Sequence, residues 1–219
     1  MRVKICGVRS RAEAAAAVAA GAAYIGLVRF PPSPRHLTLS DARWVAESVP
    51  TGVIRVALTV DASDAALEEL IEAVPLDMLQ LHGRETPERV AEISARFRRP
   101  VMKAVGVSSE ADLTQIDSYL RVADQVLVDA RPPRGTDRPG GNGLTFDWRL
   151  IRGRRWKRPW MLAGGLTPDN VGEAVRLTGA EQVDVSSGVE SRPGFKDPGR
   201  IRAFVHAATA ATTTTTPVS

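Results

Sequence analysis

Lys4-Ile5-Cys6-Gly7, followed by Ser10-Arg11-Ala12-Glu13, is the stretch on which the reading of this chain turns. A short apolar run ends in a reactive residue and a glycine, and a helix start follows. Ser10 and Glu13 have the spacing of a capping box, and Gly21 supplies a C-terminal stop. The unit recurs. Gln80-Leu81-His82-Gly83 precedes Thr86-Pro87, Ala163-Gly164-Gly165 precedes Thr167-Pro168, and Asp184-Val185-Ser186-Ser187-Gly188 precedes Asp197-Pro198, with Val128-Asp129-Ala130-Arg131 between them. Threonine or aspartate followed by proline reads as an N-cap with proline at the first helical position. Ser40 before Asp41 and Ser63 before Asp64 read as weaker caps. The pattern predicts strands ending near Cys6, Val28, Val60, Leu81, Val105, Asp129, Ala163 and Ser186. Strands alternating with capped helices wind around a parallel sheet, and polar residues at the C-terminal ends of many successive strands are the mark of an enzyme barrel. The predicted fold is α/β, a single-domain (β/α)8 TIM barrel.

The length of 219 residues and hydrophobic content of 43% suffice for one full core, assigned to residues 1–208. Residues 209–219, with a run of five threonines and no periodicity, read as a disordered tail without function. The single cysteine cannot form an internal disulfide, no run approaches the roughly 18 apolar residues of a membrane span, and the N-terminus enters a strand directly. A cytoplasmic protein with no membrane partner is expected. The net charge of +4 and pI of about 9.7 favour anions of some kind. Arg149, Arg152, Arg154, Arg155, Lys157 and Arg158 crowd one stretch. No stacking platform or nucleic-acid motif accompanies them, so a solvated helix end plus loop is the preferred reading and no nucleic-acid partner is expected.

Side chains alternate along a strand, so parity separates the barrel interior from the helix layer. Val3 and Ile5 suit the helix side, which turns Lys4 and Cys6 inward; the same count turns Gln80, His82, Leu127 and Asp129 inward. Cys6, His82 and Asp129 are thus predicted at one mouth, with Lys4, Gln80, Lys103 and Asp184 as a polar layer beside it. Lone cysteines are commonly small buried hydrophobes. Here, a strand end before glycine and a helix N-terminus is a setting for a thiolate base. Asp129 precedes Ala130, Arg131 and two prolines, so it caps no helix, and partial burial suits it to act as a general acid. His82 is either structural or a substrate contact. Gly164 and Gly165, with Ser187 and Gly188, stand at the two strand ends where barrels of this kind bind phosphate through backbone N–H groups and a short extra helix. The segments Arg29 to Leu39 and Ala130 to Thr145 are the predicted substrate-covering loops.

Seven ordered motifs carry a resemblance over Val3 to about Ala207: Lys4-Ile5-Cys6-Gly7, Ser33-Pro34-Arg35, Gln80-Leu81-His82-Gly83, Val128-Asp129-Ala130, Gly141-Asn142-Gly143 with Phe146-Asp147-Trp148, Leu162-Ala163-Gly164-Gly165-Leu166, and Asp184-Val185-Ser186-Ser187-Gly188-Val189-Glu190. The chain resembles the phosphoribosylanthranilate isomerases of the tryptophan pathway, cofactor-free barrels that perform an Amadori rearrangement of a phosphorylated aminoaldose. The resemblance implies Cys6 as general base and Asp129 as general acid. It implies Arg35 as the contact for the anthranilate carboxylate, with His82 and Asp184 near the sugar. It assigns Gly143, Gly164, Gly165, Ser187 and Gly188 to the phosphate. The implied partner is a phosphorylated aminosugar carrying anthranilate, with no cofactor and no metal, in a monomer or homodimer. Asn142 stands where the family usually has threonine, and Arg29 with the double proline before Ser33 is less typical. These departures leave room for an altered aromatic amine in a secondary-metabolite pathway. The histidine-branch isomerase is the nearest alternative, but it typically carries aspartate where Cys6 stands. An inactive phosphosugar-binding barrel is disfavoured by the complete acid–base pair.

Overall fold

A computed structural model describes residues 1–130 and 145–213. Eight parallel strands follow one another round a closed barrel: β1 (Arg2–Cys6), β2 (Tyr24–Arg29), β3 (Ile54–Thr59), β4 (Met78–Leu81), β5 (Val101–Val107), β6 (Gln125–Ala130), β7 (Trp160–Leu162) and β8 (Gln182–Val185). Closure pairs β1 with β8, with Lys4 opposite Asp184 and Ile5 opposite Val185. Each strand ends within two residues of its predicted end. The helices α1 (Arg11–Ala19), α2 (Leu39–Ala46), α3 (Asp64–Ala73), α4 (Pro87–Phe97) and α5 (Leu113–Tyr119) follow the first five strands. A 3-10 turn at Trp148–Ile151 precedes β7, then come α6 (Val171–Thr178) and α7 (Pro198–Thr213).

Most predicted caps form. Ser10 accepts from the Glu13 N–H at 3.1 Å, although the Glu13 carboxylate reaches back one residue further than a capping box requires, to the Arg9 N–H at 2.6 Å. Thr86, Ser63 and Asp197 cap α4, α3 and α7. Two starts differ. Thr38, not Ser40, caps α2, because its hydroxyl is the one three residues before the Asp41 N–H. Thr167-Pro168 opens a turn instead of α6: the Asn170 carboxamide accepts the Thr167 N–H at 2.8 Å, a local bond that delays the helix to Val171.

The last helix reaches beyond the expected domain end at residue 208. Helix α7 runs to Thr213, because Ile201, Phe204, Val205, Ala208 and Ala211 keep a helical spacing and bury against the barrel. Residues 214–219 lie outside the described residues. A short hairpin, β9 (Glu190–Arg192) with β10 (Phe195–Lys196), lies between β8 and α7 and was not anticipated.

Strand parity divides the core as period two requires. Val3, Ile5, Leu79, Leu81, Val126, Val128, Val183 and Val185 face the helices. Tyr24, Val56, Met78, Met102, Leu127 and Met161 fill the barrel interior, and Cys6, Val28 and Leu58 form a small cluster above them. Each fully buried side chain of the Ile or Leu kind contributes about 1.5–3 kcal/mol of transfer free energy. One parity expectation fails. Lys103 shares a face with Val101 and Val105, so it points outward, where its ammonium meets Glu85 at 3.0 Å and the Gly83 carbonyl at 2.8 Å. It does not belong to the interior polar layer; Met102 and Ala104 take the inward positions of β5.

Candidate active site

The C-terminal end of the barrel gathers the predicted residues. Cys6 closes β1 and is only 4% exposed. The helix-terminus argument for its thiolate fails here: α1 begins only at Arg11, and the N–H groups of Gly7 and Val8 both donate to the Gly26 carbonyl, at 2.8 and 3.1 Å. Burial pushes the Cys6 thiol up from its ordinary value, and the charges of Lys4 and Lys196 pull it back.

Gly7 has φ +77, and a Cβ there would come within 2.5 Å of Arg35 Cδ. Glycine therefore lets Arg35 lie across the strand end. Arg35 is 5% exposed, and its guanidinium grips Glu190 side-on, Nε to Oε1 at 2.7 Å and Nη2 to Oε2 at 2.9 Å. Lys196 Nζ reaches the same Oε1 at 2.7 Å and the Ser186 carbonyl at 3.0 Å, while the Ser186 hydroxyl donates to the Cys6 carbonyl at 3.1 Å. The position of Arg35, on a predicted substrate-covering loop, is set by this ion cluster, whose anion comes from the unanticipated hairpin. Burial works to raise the Glu190 carboxyl, but Arg35 and Lys196 outweigh it and hold it below the usual carboxylate range.

Asp129 lies on β6. Its Oδ1 accepts the Ala130 N–H at 2.8 Å and its Oδ2 stands 3.2 Å from His82 Nε2; Gln80 Nε2 is 2.8 Å from the other ring nitrogen of His82. His82 is thus pinned between Gln80 and the acid. Asp184 faces inward but meets Lys4 Nζ at 2.9 Å.

After β7, Gly164 and Gly165 adopt φ +86 and +61, conformations that favour glycine. A Cβ on Gly164 would lie 2.6 Å from the Ala130 nitrogen and 3.2 Å from Asp129 Oδ1, so this glycine also seats the acid. Ser187–Val189 form a 3-10 turn after β8. A cavity of about 590 Å3 opens between the two, lined by Gly165, Thr167, Ser187, Gly188 and Arg200. Gly188 has a packing reason as well, since a Cβ there would fall 2.0 Å from the Leu166 carbonyl. Arg200 was missed by sequence reasoning, because its place beside the glycines depends on how α7 docks. Gly143, with Gly141 and Asn142, lies outside the described residues.

The basic run sits at the other end of the barrel. Arg152, Arg155 and Arg158 line a cleft with Arg2 and Gln182, the first residues of β1 and β8. Arg149 and Arg154 pair with Asp147 and Glu110. No helix among the described residues is long and apolar enough to cross a membrane.

A closed eight-stranded barrel with a thiol, a carboxyl group and a glycine-lined cavity at one mouth defines the class, a (β/α)8 barrel with its polar site at the C-terminal ends of the strands. A family model described as N-(5'-phosphoribosyl)anthranilate isomerase matches residues 3–207. The chain belongs to this family. Curated relatives of that name are 65% identical over 208 residues in Cereibacter sphaeroides, covering 95% of this chain and 98% of the relative, and 59% identical over 208 residues in Paracoccus denitrificans, covering 95% and 97%. The crystal structure of phosphoribosyl anthranilate isomerase from Thermotoga maritima superposes with TM-score 0.87 at 37% identity, covering 96% of this chain and 99% of that one. An isomerase solved with reduced 1-(o-carboxyphenylamino)-1-deoxyribulose 5-phosphate superposes with TM-score 0.83 at 36% identity, with the same coverage.

If the glycines bind phosphate, crystals soaked in sulfate or phosphate will hold an anion between Gly165 and Ser187, and Gly165→Asp will abolish it by adding a like charge. An anion found only along Arg152 to Arg158 would refute this site.

Proposed function

We propose that the chain converts N-(5-phosphoribosyl)anthranilate to 1-(2-carboxyphenylamino)-1-deoxyribulose 5-phosphate, an Amadori rearrangement in tryptophan biosynthesis, in the cytoplasm, as a monomer or homodimer. The observation that carries the reading is the juxtaposition of Cys6 and Asp129 at one mouth with the glycine-lined cavity at the ends of β7 and β8. Gly164 leaves the space that Asp129 occupies and the Ser186 hydroxyl donates to the Cys6 carbonyl, so the segments after β7 and β8 adjoin both the acid and the base. In this mechanism Asp129 protonates the furanose ring oxygen. The C1–O bond breaks and the anilino nitrogen supplies its electron pair, leaving a protonated Schiff base. The Cys6 thiolate then takes the proton from C2, and the C–H electrons flow toward the nitrogen to give an enolamine, which tautomerises to the ketone. Holding the phosphate at β7 and β8 fixes C1 and C2 against the two groups and converts proton transfer into a positioned, unimolecular step.

Loss of anthranilate-type fluorescence when the purified protein is mixed with freshly made phosphoribosylanthranilate tests the activity. No loss above the uncatalysed rate would refute it.

Arg35 is the group assigned to the anthranilate carboxylate. A charge-assisted pair of this kind contributes about 1.5–3 kcal/mol, or roughly 10–150-fold in kcat/KM. Arg35→Ala is therefore expected to lose at least about tenfold on the anthranilate substrate and much less on an aniline analogue without the carboxylate. Equal losses would assign Arg35 to holding Glu190 alone.

A further inference from the structure

Lys4 is completely buried, and its ammonium lies inside the barrel. Desolvating an ammonium costs several kcal/mol unless partners compensate, so a lysine here calls for a reason. Its hydrogen-bond partner is Asp184, at 2.9 Å from Nζ, and Cys6, two residues further along the same inward face, is its neighbour. The space for this contact is made by β2. Gly26 stands opposite Cys6 in the sheet, and a Cβ on it would lie 2.9 Å from Cys6 Sγ and 3.2 Å from Lys4 Nζ. Thiol and ammonium thus share the volume that glycine leaves empty.

We propose that Lys4 is a positioning residue for the Cys6 base: its ammonium, anchored by Asp184, lies against the sulfur and stabilises the thiolate that takes the C2 proton. The inference rests on the reading of Cys6 as the base. The wider charge pattern supports it. Lys4, Lys196 and Arg35 surround the end of β1, with Asp184 and Glu190 as their carboxylate partners. Burial works to lower the Lys4 ammonium, yet Asp184 and Cys6 lift it to about 12, so it stays charged at any working pH. Burial raises the thiol while Lys4 opposes that rise more than any other group; Asp184 works against Lys4.

Cys6 is the only cysteine, so alkylation by iodoacetamide reports it alone. Lys4→Met by itself would strand the buried Asp184 charge, so the comparison is between Asp184→Asn and the double variant Lys4→Met with Asp184→Asn, both checked for folding by circular dichroism. Removal of Lys4 is expected to move the alkylation limb upward by about one pH unit, a roughly tenfold slower reaction at fixed pH on the limb. kcat/KM at fixed pH is expected to fall with it. Coincident alkylation limbs in the two variants would overturn the proposal. A shifted alkylation limb with an unchanged kcat/KM would overturn Cys6 as the base, while leaving the effect of Lys4 on the thiolate in place.

Discussion

Cys6→Ala and Asp129→Asn each lower kcat by at least about 100-fold, the usual cost of a lost general acid or base. Neither change gives the fold much reason to fail. Cys6 belongs to a small apolar cluster with Val28 and Leu58, and asparagine at position 129 keeps an oxygen to accept the Ala130 N–H. The KM change is expected to be modest, because the proposed phosphate contacts at β7 and β8 are untouched in both variants. Steady-state fluorescence kinetics measure both quantities, and near-wild-type turnover in either variant rejects the role of that residue. The pH dependence has a sign too. Burial raises the Cys6 thiol, and the base must be deprotonated to act. In the wild type the alkylation of Cys6 by iodoacetamide, which needs the thiolate and not the acid, therefore keeps rising with pH through the ordinary thiol range near about 8.5. An alkylation plateau reached below neutral pH would show that the thiol is not raised.

Glu190→Ala destabilises the barrel by about 3–5 kcal/mol, the cost of removing one partner from a buried ion cluster. Its carboxylate accepts from Arg35 at 2.7 and 2.9 Å and from Lys196 at 2.7 Å, and its own side chain is only 4% exposed. Without it, two cations are left to face each other at the end of β1. For a domain of this size, roughly 2–4 °C per kcal/mol translates this into a fall in Tm of roughly 6–20 °C, measured by thermal unfolding at neutral pH. The carboxyl of Glu190 is held below its ordinary value, so its contribution is present above the unfolded-state value and disappears as pH falls through the folded-state value. The gap in Tm between wild type and variant accordingly narrows in acid. A neutral-pH loss under about 1 kcal/mol would mean that the pairs behave as solvated surface bridges.

What the sequence determined by itself were features governed by local rules. Alternation of side chains is a property of an extended backbone, so the inward turn of Lys4, Cys6, Gln80, His82, Leu127 and Asp129 was legible before any fold was known. Cap chemistry acts over three residues, which is why Ser10, Ser63, Thr86 and Asp197 marked helix starts correctly. Where two local groups compete, as at Thr38 with Ser40 and at Thr167 with Asn170, local rules were not enough. The electrostatics of the site belong to the tertiary structure alone. Lys4 and Asp184 are separated by 180 positions in the chain and Arg35 and Glu190 by 155, and they meet only because β8 closes on β1. Lys103 resembled an interior lysine until the register of β5 turned it outward to Glu85. The resemblance implied Arg35 as a contact for the substrate carboxylate, but the carboxylate it meets in the structure, Glu190, comes from a hairpin of five strand residues with no periodic signal. Long-range ion pairs leave no periodic trace in a sequence, since their energy depends on distances and burial that exist only after the barrel has closed.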